Sequence, residues 1–405
     1  MRKLARNSMF LLLLINLMNY VDRQILAAVE RPIGGEFAVG ADITGWLPSA
    51  FLASYMFFSP IFGVVGDRVR RWTIIGIGVI GWSLASGGSG AASSLTMLFL
   101  MRILIGTGEA AYGPIAPTVI ADLFPIEARG KALSWFYAAI PVGSALGYVI
   151  GGLLHEHWRW AFYLTLPPGI LLGFICFIMP EPPRGDETRG RRALWSDYWH
   201  LLRIKSYVLD SAGMTAMTFA LGGIAFFMPR YLESAGLDPR ESIPVFGGIA
   251  CVAGILGTMA GGIFGDKLKP KMPSSYFVVS GTGMVIGFPL ILLMLITPFP
   301  ACWIVIFLAV FCLFVNTGPS NAIIANVTHA NVRATAFAVN ILAIHLFGDS
   351  ISGPVVGGIA KTFGLRSAFA VVSVLTLLGG IFWLWGAKYL RADVERASAS
   401  MALQV

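Results

Sequence analysis

Ionisable residues interrupt several long apolar runs of this chain, and they are the residues best placed to do chemistry. Asp22 and Arg23 lie in the first run, and Arg102 and Glu109 lie in the fourth. A charged side chain at the centre of a membrane costs about 2.5–3.5 kcal/mol, so it usually faces a protein interior or a water-filled cavity. Such charges serve either as a structural ion pair or as a site that binds substrate or couples ions.

Helical geometry limits which of these charges can meet. Arg102 and Glu109 are seven residues apart, so they share one face of a helix but are separated by about 10 Å along its axis. Each must therefore reach another helix, and the first helix supplies opposite charges. We expect Asp22 to pair with Arg102 or Arg23. Arg23 and Arg102 are thus the predicted charge-pair residues, or the residues that bind a substrate headgroup.

The two carboxylates are the candidates for proton coupling. Glu109 lies among small residues with little polarity in the adjoining sequence, which is a favourable setting for a proton carrier. The alternative is a glutamate that Arg23 holds charged as a static strut. Asp22 is the second candidate, because protonation of a paired carboxylate weakens the pair and can shift the population of two conformations.

Two further groups of residues are weaker candidates. His345 and Asp349 lie four residues apart on a later helix and face the same way, so they form either a self-satisfied pair or a second site. Asp210 is predicted to lie near an inner gate or the membrane interface. The other histidines lack the spacing of metal ligands, and no nucleotide loop or nucleophile–histidine–acid set occurs in the sequence. We therefore predict no enzyme activity, no metal and no cofactor.

Composition predicts the elements that position these residues. Hydrophobic residues make up 56% of the 405 residues and charged residues 12%, against about a quarter charged in soluble domains. The chain is therefore predicted to be an integral membrane protein. Twelve apolar stretches are long enough to span a bilayer. They lie at 9–29, 44–65, 72–92, 95–121, 131–154, 160–180, 206–232, 243–265, 274–297, 301–325, 334–360 and 366–388.

The placement of charge predicts the orientation in the membrane. Lysine and arginine concentrate in short loops on one side of the predicted spans, as they do in cytoplasmic loops. This pattern, rather than nucleic-acid binding, accounts for the net charge of +8. We therefore predict a multi-pass protein of the inner (plasma) membrane, with both termini in the cytoplasm.

The longest polar stretch divides the spans six and six, and the two halves repeat. Gly63-Val-Val-Gly-Asp-Arg68 is matched by Gly262-Ile-Phe-Gly-Asp-Lys267, and Arg159-Trp-Ala-Phe162 by Arg366-Ser-Ala-Phe369. Such repeats favour an all-α fold of twelve transmembrane helices in two pseudo-symmetric six-helix bundles. The predicted parts are a bundle at 1–183, a cytoplasmic linker at 184–205 that is compatible with an interfacial helix or a simple loop, a bundle at 206–391 and a cytoplasmic tail at 392–405.

The loop between the second and third spans resembles a motif of the major facilitator superfamily. Its sequence is Gly63-x-x-Gly66-Asp67-Arg68-x-Arg70-Arg71, with Arg70 where the family has a glycine. The resemblance implies that the glycines permit close helix approach, that the aspartate caps a neighbouring helix and that the arginines hold the cytoplasmic face closed. The gating residues that it implies are Gly63, Asp67, Arg68, Arg71, Asp122, Arg129 and Asp266.

Four segments of the first half together resemble the Spinster branch of that superfamily. They are Asn19–Arg23, Arg102–Tyr112, Ile115–Phe124 and Phe136–Tyr148. The branch is associated with lysolipid and sphingosine-phosphate transport. The resemblance therefore implies a secondary transporter of an amphipathic, lipid-like substrate that works by alternating access, with protons coupled through the buried carboxylates. The alternative is proton-coupled transport of organic anions or drugs on the same fold. The charge pattern and the lack of eukaryotic-style extensions favour a bacterial member.

A set of polar and aromatic side chains is predicted to line the central cavity. A few charges in an otherwise apolar, aromatic cavity suit an amphipathic ligand with a charged head, although some of these residues will instead pack between helices. The cavity candidates are Asn19, Tyr20, Phe51, Tyr112, Phe136, Tyr137, Asn316 and Asn340. The expected partners are the lipid bilayer, a small amphipathic substrate and protons, with no nucleic acid, and we expect a monomer.

Overall fold

The computed structural model describes residues 2–66, 68–182, 199, 201–328 and 330–402, and the regular structure in these ranges is helical. The helices are α1 (Arg2–Ala28), α2 (Glu30–Glu36), α3 (Ala41–Thr44), α4 (Trp46–Gly66), α5 (Arg71–Gly90), α6 (Leu95–Ala110), α7 (Ala116–Leu123), α8 (Ile126–Leu153), α9 (Trp158–Ile178), α10 (Lys205–Ser234), α11 (Pro239–Leu268), α12 (Ser275–Ile296), α13 (Cys302–Phe314), α14 (Thr317–Val327), α15 (Ala330–Ile344), α16 (Ser350–Gly386) and α17 (Leu390–Ala402). A 3-10 turn, His155–His157, precedes α9, and a π turn, His345–Asp349, precedes α16.

The helices account for all twelve predicted crossings. Nine segments of the described chain are long and apolar enough to span a membrane. The last of them, Thr335–Gly386, has 52 residues, and its helix breaks at Gly364, where φ is +80°. Because about 20 residues suffice for one crossing, this segment supplies two. Helix α5 and the pair α6–α7 complete the set. The prediction of an all-α membrane protein is confirmed.

Two predicted spans are interrupted rather than continuous. The span predicted at 95–121 ends as α6 at Ala110 and resumes as α7 at Ala116, with Pro117 in the first turn of α7. Proline has no backbone N–H to donate, so it is well accommodated in the first turn of a helix. The span predicted at 301–325 is likewise divided, between α13 and α14. The break therefore occurs at the corresponding place in both halves of the sequence.

The contacts divide the chain into two compact units. Unit 1 comprises Met1–Thr188 and Ala225–Cys251, and unit 2 comprises Arg189–Ile224 and Val252–Val405. The end of α10 and the start of α11 thus belong to unit 1, although they follow the first six crossings in the chain. Most of the predicted linker lies outside the described residues; of the segment considered for an interfacial helix, residues 199 and 201–203 are described, and they are helical.

Close helix approaches in unit 1 fix the positions of its central charges. Helices α1 and α8 meet at Gly147, where an added Cβ would lie 2.6 Å from the carbonyl oxygen of Val21. Helices α4 and α6 meet at Gly106, which packs directly on the Phe51 carbonyl and the Ser54 hydroxyl. Small residues at such contacts are the usual means by which membrane helices approach closely. They bring the polar faces of α1, α4 and α6 together.

Unit 2 contains two buried aspartates that hold its helices together. Asp393 of α17 accepts hydrogen bonds from Ser206 at the start of α10, at 3.0 Å from the amide nitrogen and 2.7 Å from the hydroxyl. Asp393 lies in the predicted tail at 392–405, which is helical as far as Ala402. Asp210 is fully buried. Its carboxylate accepts hydrogen bonds from the Ser320 hydroxyl and from Trp383 Nε1, at 2.7 Å each.

Candidate functional site

The centre of unit 1 contains a buried ion pair between α1 and α6. Arg23 donates from Nε and Nη2 to Glu109 Oε2, at 2.9 and 2.6 Å. The glutamate side chain is 0% exposed and the arginine side chain 22% exposed. Because both donors use the same oxygen, Glu109 Oε1 is left without a hydrogen-bond partner in the described residues. The prediction that Glu109 reaches a residue of the first helix is confirmed.

Aromatic rings surround the arginine of this pair. The Arg23 guanidinium carbon lies 5.0 Å from the ring centroid of Tyr20, 4.7 Å from that of Phe51 and 5.4 Å from that of Tyr55. Rings at this distance attract a cation through their quadrupoles, by about 0.5–2 kcal/mol for each well-placed ring. The guanidinium therefore has a favourable environment that does not depend on Glu109.

Asp22 is held by hydrogen bonds. Ser86 donates to Asp22 Oδ1 at 3.0 Å, and the Ser86 and Thr165 hydroxyl oxygens lie 3.2 Å apart. The expected ion pair between Asp22 and Arg23 is wrong, because neighbouring residues of a helix point about 100° apart and Arg23 faces Glu109. Asp22 is 2% exposed, so its carboxylate depends on these hydroxyl groups for solvation.

Arg102 acts on Asp22 through space rather than through contact. Its Nη2 donates to Ser89 at 2.7 Å, and its guanidinium carbon lies 5.2 Å from the ring centroid of Phe162. Arg102 is 2% exposed, and its Nε has no hydrogen-bond partner in the described residues. The expected Asp22–Arg102 contact is therefore wrong as well, although the opposite charges attract one another electrostatically.

The gating residues implied by the loop motif form a second polar group in unit 1. Arg71 is 4% exposed and pairs with Asp122 at 2.6 Å and with Glu181 at 2.9 Å. Arg129 Nε donates to the carbonyl of Phe124 at 3.1 Å. Arg71 therefore ties the start of α5 to α7 and to the segment after α9. Glu181 was not predicted, because it lies about 110 residues from Arg71 in sequence.

The other residues of the motif differ in their packing. Gly66 packs on Ile115, at 2.8 Å from an added Cβ, whereas a Cβ on Gly63 would have no neighbour within 4 Å. Arg70 has φ −59° and ψ 117°, a conformation open to any residue, so the glycine of the family is not needed there. Arg68 is exposed. Asp67 lies outside the described residues.

Unit 2 contains the remaining gating residue and the second candidate site. The hydroxyl of Tyr276 donates to Asp266 at 2.7 Å. His345 Nδ1 lies 3.1 Å from both oxygens of Asp349 on the π turn, and each side chain is about a quarter exposed. The predicted pairing of His345 with Asp349 is thus present, and a role for it stays a prediction. In the described part of the chain, no three His, Cys, Asp or Glu side chains converge as a metal site.

The cavity candidates of unit 1 fall into two kinds. Asn19 and Phe51 are buried beside the Arg23–Glu109 pair, and Tyr20 lies beside Arg23. Tyr112 donates its hydroxyl to the carbonyl of Leu12 at 2.7 Å and belongs to the apolar core of unit 1. Phe136 belongs to the same core, and Tyr137 is 50% exposed.

The cavity candidates of unit 2 are two buried amides. Asn316 donates to the carbonyl of Leu313 at 2.6 Å, and Asn340 donates to the sulfur of Met214 at 3.4 Å. The Oδ1 atom of each amide has no hydrogen-bond partner in the described residues. Each amide therefore retains an acceptor that could bind a polar group.

The pair between Arg230 and the buried Glu30 in unit 1 was not predicted from the sequence. Arg230 Nε donates to Glu30 Oε2 at 2.7 Å and Nη2 donates to Oε1 at 2.8 Å, while the Thr44 hydroxyl also donates to Oε1. Glu30 is 1% exposed. The sequence contains one indication of this pair, which is the position of Glu30 directly after the first apolar run. Because Arg31 follows it, a position for Glu30 on the protein surface is equally consistent with the sequence.

Comparison with known proteins assigns the chain to a family. The sequence profile of the Major Facilitator Superfamily matches residues 12–351. The chain is 33% identical over 422 residues to spinster homolog 3 of Danio rerio, which covers 95% of this chain and 85% of that protein. It is 32% identical over 424 residues to the sphingosine-1-phosphate transporter SPNS2 of Danio rerio, which covers 95% of this chain and 84% of that protein.

The fold comparison agrees with the sequence comparison. A crystal structure of a bacterial homologue of the human lysosomal transporter Spinster, in an inward-facing and unoccupied conformation, superposes with a TM-score of 0.89. It is 21% identical and covers 97% of this chain and 99% of that chain. The chain is therefore a multi-pass membrane transporter, not an enzyme, and it belongs to the Spinster family within the Major Facilitator Superfamily.

Proposed function

We propose that this protein is a proton-coupled secondary transporter of an amphipathic, lipid-like substrate with an anionic head, of the lysolipid or sphingoid-phosphate type. The observation that carries the proposal is the Arg23–Glu109 pair, in which a fully buried carboxylate has one oxygen without a hydrogen-bond partner in the described residues. Because both Arg23 donors use the other oxygen, a proton on this oxygen displaces neither of them.

Charge balance links the proton to the substrate. When all four central side chains are ionised, Asp22 and Glu109 balance Arg23 and Arg102. Protonation of Glu109 leaves one uncompensated positive charge in a buried site, which favours an anionic headgroup. Arg23 is then free to donate from the same two nitrogens to a phosphate or carboxylate. Proton binding and substrate binding therefore support one another.

The surroundings of Arg23 favour an amphipathic substrate. The rings of Tyr20, Phe51 and Tyr55 surround its guanidinium, so a headgroup bound there would have apolar and aromatic surface beside it. A pocket with a few polar groups among apolar walls suits a ligand with a charged head and a hydrocarbon tail. The name of the relative SPNS2 gives sphingosine-1-phosphate as its substrate, which is a molecule of this chemical class.

Alternating access is the transport mechanism that we propose. Two related halves can rock about a central site, and a buried pair that forms only in one conformation makes the equilibrium between conformations sensitive to protons. Arg71, with Asp122 and Glu181, ties the loop between α4 and α5 to neighbouring segments in the present arrangement. We propose that the protein works as a monomer in the inner (plasma) membrane, with both termini in the cytoplasm.

Transport into proteoliposomes tests the coupling. Purified protein is reconstituted, and uptake of a fluorescent lysophospholipid or sphingoid phosphate is measured with and without an imposed pH gradient. We expect Glu109→Gln and Asp22→Asn each to abolish gradient-driven uptake, because neither amide can take up and release a proton. Glu156→Gln, which neutralises an exposed carboxylate, is the matched control and should transport normally.

Two outcomes would contradict the proposal. Gradient dependence that persists in both variants would remove the proton role of the two carboxylates. A substrate panel in which only short hydrophilic acids or drug-like anions are transported would favour the alternative substrate class on the same fold. Arg23→Lys is a further test, because lysine keeps the charge but loses the two-nitrogen contact, so uptake of a phosphate-bearing substrate should fall.

A further inference from the structure

His155 occupies an unusual position in unit 1, at the end of the unit where α1 finishes. We call this region the distal end and define it as residues 28–46, 155–159 and 229–241. The imidazole is buried, at 8% exposure. Its Nδ1 lies 3.0 Å from the carbonyl oxygen of Ala28, and its Nε2 lies 3.3 Å from Glu233 Oε1. One ring thus faces two acceptors that come from two different helices.

The chemical nature of the two partners determines how many protons the His155 ring must carry. A carbonyl oxygen can only accept, so Nδ1 must carry a hydrogen. Neutral imidazole has one N–H, which would leave the Nε2 lone pair directed at the glutamate. Arg31 Nη1 donates to the other glutamate oxygen at 3.0 Å. A hydrogen bond between Nε2 and Oε1 would therefore need a second proton on the ring.

We propose that His155 and Glu233 form a proton-binding site at the distal end, separate from the Arg23–Glu109 pair. The bound proton holds three segments together, namely the end of α1 through Ala28, the turn before α9 through His155 and the end of α10 through Glu233. The ligand is the proton itself. This inference does not depend on the proposed substrate or on the central carboxylates.

Other charged groups around His155 are already paired. Arg31 of α2 and Glu233 of α10 line the same cavity as His155. At the same end of the unit, Glu30 pairs with Arg230 at 2.7 Å. On the turn itself, Glu156 pairs with Arg240 at 2.6 Å, and both side chains are more than half exposed. His157 is exposed. Glu233 Oε1 has no hydrogen-bond partner in the described residues, which leaves it available for the proton.

Water can reach this site. A surface cavity of about 520 Å³ is lined by Arg31, Pro32, His155, Glu233, Gly236, Leu237 and Pro239. Protons can therefore exchange with the solution on this side without crossing the apolar core of unit 1. A change of pH on this side alone therefore reaches the site.

Loss of the proton reverses the sign of the contact. The Nε2 lone pair would then face a carboxylate at 3.3 Å, and attraction would become repulsion. The tie between the turn and α10 would weaken, while the contact of Nδ1 with Ala28 would remain. Acid on this side therefore favours the tied arrangement, and alkaline solution favours separation of α10 from the turn.

Distance measurements by double electron–electron resonance test this inference. Spin labels are carried by non-canonical residues that replace Leu153, two residues before His155, and Ala235 after α10, so the native cysteines stay in place. Both positions are exposed. The protein is held in lipid nanodiscs without substrate or gradient, and distances are recorded from about pH 5 to about pH 8, the range in which histidine titrates.

We expect a short, narrow distance distribution in acid that becomes longer and broader in alkali. His155→Gln should abolish this response, whereas His157→Gln, in the same turn, should retain it. Glu233→Gln should keep the short distance at both extremes, because an amide can donate to neutral Nε2 or accept from the protonated ring. The response should also persist in the Asp22→Asn, Glu109→Gln double variant.

Two results would overturn the inference. One is a wild-type distance distribution that does not change with pH. The other is a response that survives in His155→Gln. If either single variant fails to fold, the wild-type series and the remaining variant still decide the matter. Loss of the response only in the Asp22→Asn, Glu109→Gln variant would assign it to the central carboxylates instead of His155.

Discussion

Two of the arginine–glutamate pairs of unit 1 are buried to nearly the same extent but differ in how fully the glutamate oxygens are hydrogen-bonded. The glutamate is 0% exposed in the Arg23–Glu109 pair and 1% exposed in the Arg230–Glu30 pair, and the arginines are 22% and 21% exposed. In the distal pair each glutamate oxygen accepts from a different arginine nitrogen, and Thr44 adds a third donor. In the central pair one oxygen takes both donors.

This difference distinguishes two roles for a buried ion pair: one holds helices together, and the other changes the conformation when it binds a proton. A buried pair whose atoms are all hydrogen-bonded loses several contacts when it takes up a proton. A pair with a spare oxygen loses fewer, and the rings around Arg23 continue to stabilise the cation after Glu109 is neutralised. We therefore propose that the distal pair holds helices together and that the central pair switches on protonation, and four experiments test that contrast.

The largest effect is expected for Arg230→Ala. Glu30 would keep only Thr44 as a donor in a buried position. Loss of one partner of a buried pair costs about 3–5 kcal/mol, and because Arg230 is a fifth exposed we expect about 3 kcal/mol of unfolding free energy. SDS titration of the protein in mixed micelles measures this loss. A change below about 1 kcal/mol would class the distal pair with ordinary surface pairs.

Gly106→Ala should disturb the central pair while leaving the distal pair intact. The added methyl would collide with the Phe51 carbonyl and the Ser54 hydroxyl, so α4 must shift and carry the Phe51 ring away from Arg23. Overpacking of this kind costs about 1–3 kcal/mol. The same titration checks it, with Gly63→Ala as the control. That change meets no neighbour and removes a glycine from a helix interior, so it should stabilise by about 0.5–1 kcal/mol.

The same substitution made at both glutamates sharpens the comparison most directly. In Glu30→Gln, an amide N–H₂ must face an arginine N–H, which should cost about 2 kcal/mol. In Glu109→Gln, the amide oxygen can still accept both donors and the N–H₂ takes the place of the unpaired oxygen, which should cost about 1 kcal/mol. Transport should show the reverse order, with the larger loss at Glu109. If the two substitutions change the unfolding free energy equally and also change transport equally, the two pairs do not differ in role.

The smallest effect is expected for Arg31→Ala. Its pair with Glu233 is about half exposed on the arginine side, and exposed pairs contribute about 0.2–1 kcal/mol. Unfolding free energy should therefore change little, and the change should shrink further when the titration is repeated at high salt. A loss comparable to that of Arg230→Ala would mean that the whole distal end acts as one network.

Much of this arrangement could be predicted from the sequence. Apolar length and the shortage of charge specify the crossings, and the repeated glycine–aspartate loops specify two related halves. Asp22, Arg23, Arg102 and Glu109 stand out because ionised residues are costly within apolar runs. These features depend on composition and spacing along one helix, which a single sequence contains.

The pairing of those charges could not be predicted. Which arginine meets Glu109 depends on the rotation of α1 about its axis, and a step of one residue turns the side chain by about 100°. That rotation is set by contacts such as Gly147 against Val21, which join residues far apart in sequence. The same limit applies to Asp210, whose partners Ser320 and Trp383 come from two later helices.

The hydrogen bonds between Ser206 and Asp393 have a consequence for biosynthesis. The first amides of a helix lack partners within the helix, and here the amide of Ser206 finds its acceptor 187 residues later. At translation rates of 5–20 residues per second, α10 emerges about 10–40 s before that carboxylate exists. Helix α10 must therefore wait, incompletely capped, until α17 has been made. The packing of α10 depends on a segment 187 residues further along the chain, whereas residues 1–182 can pack their central charges before α17 is made.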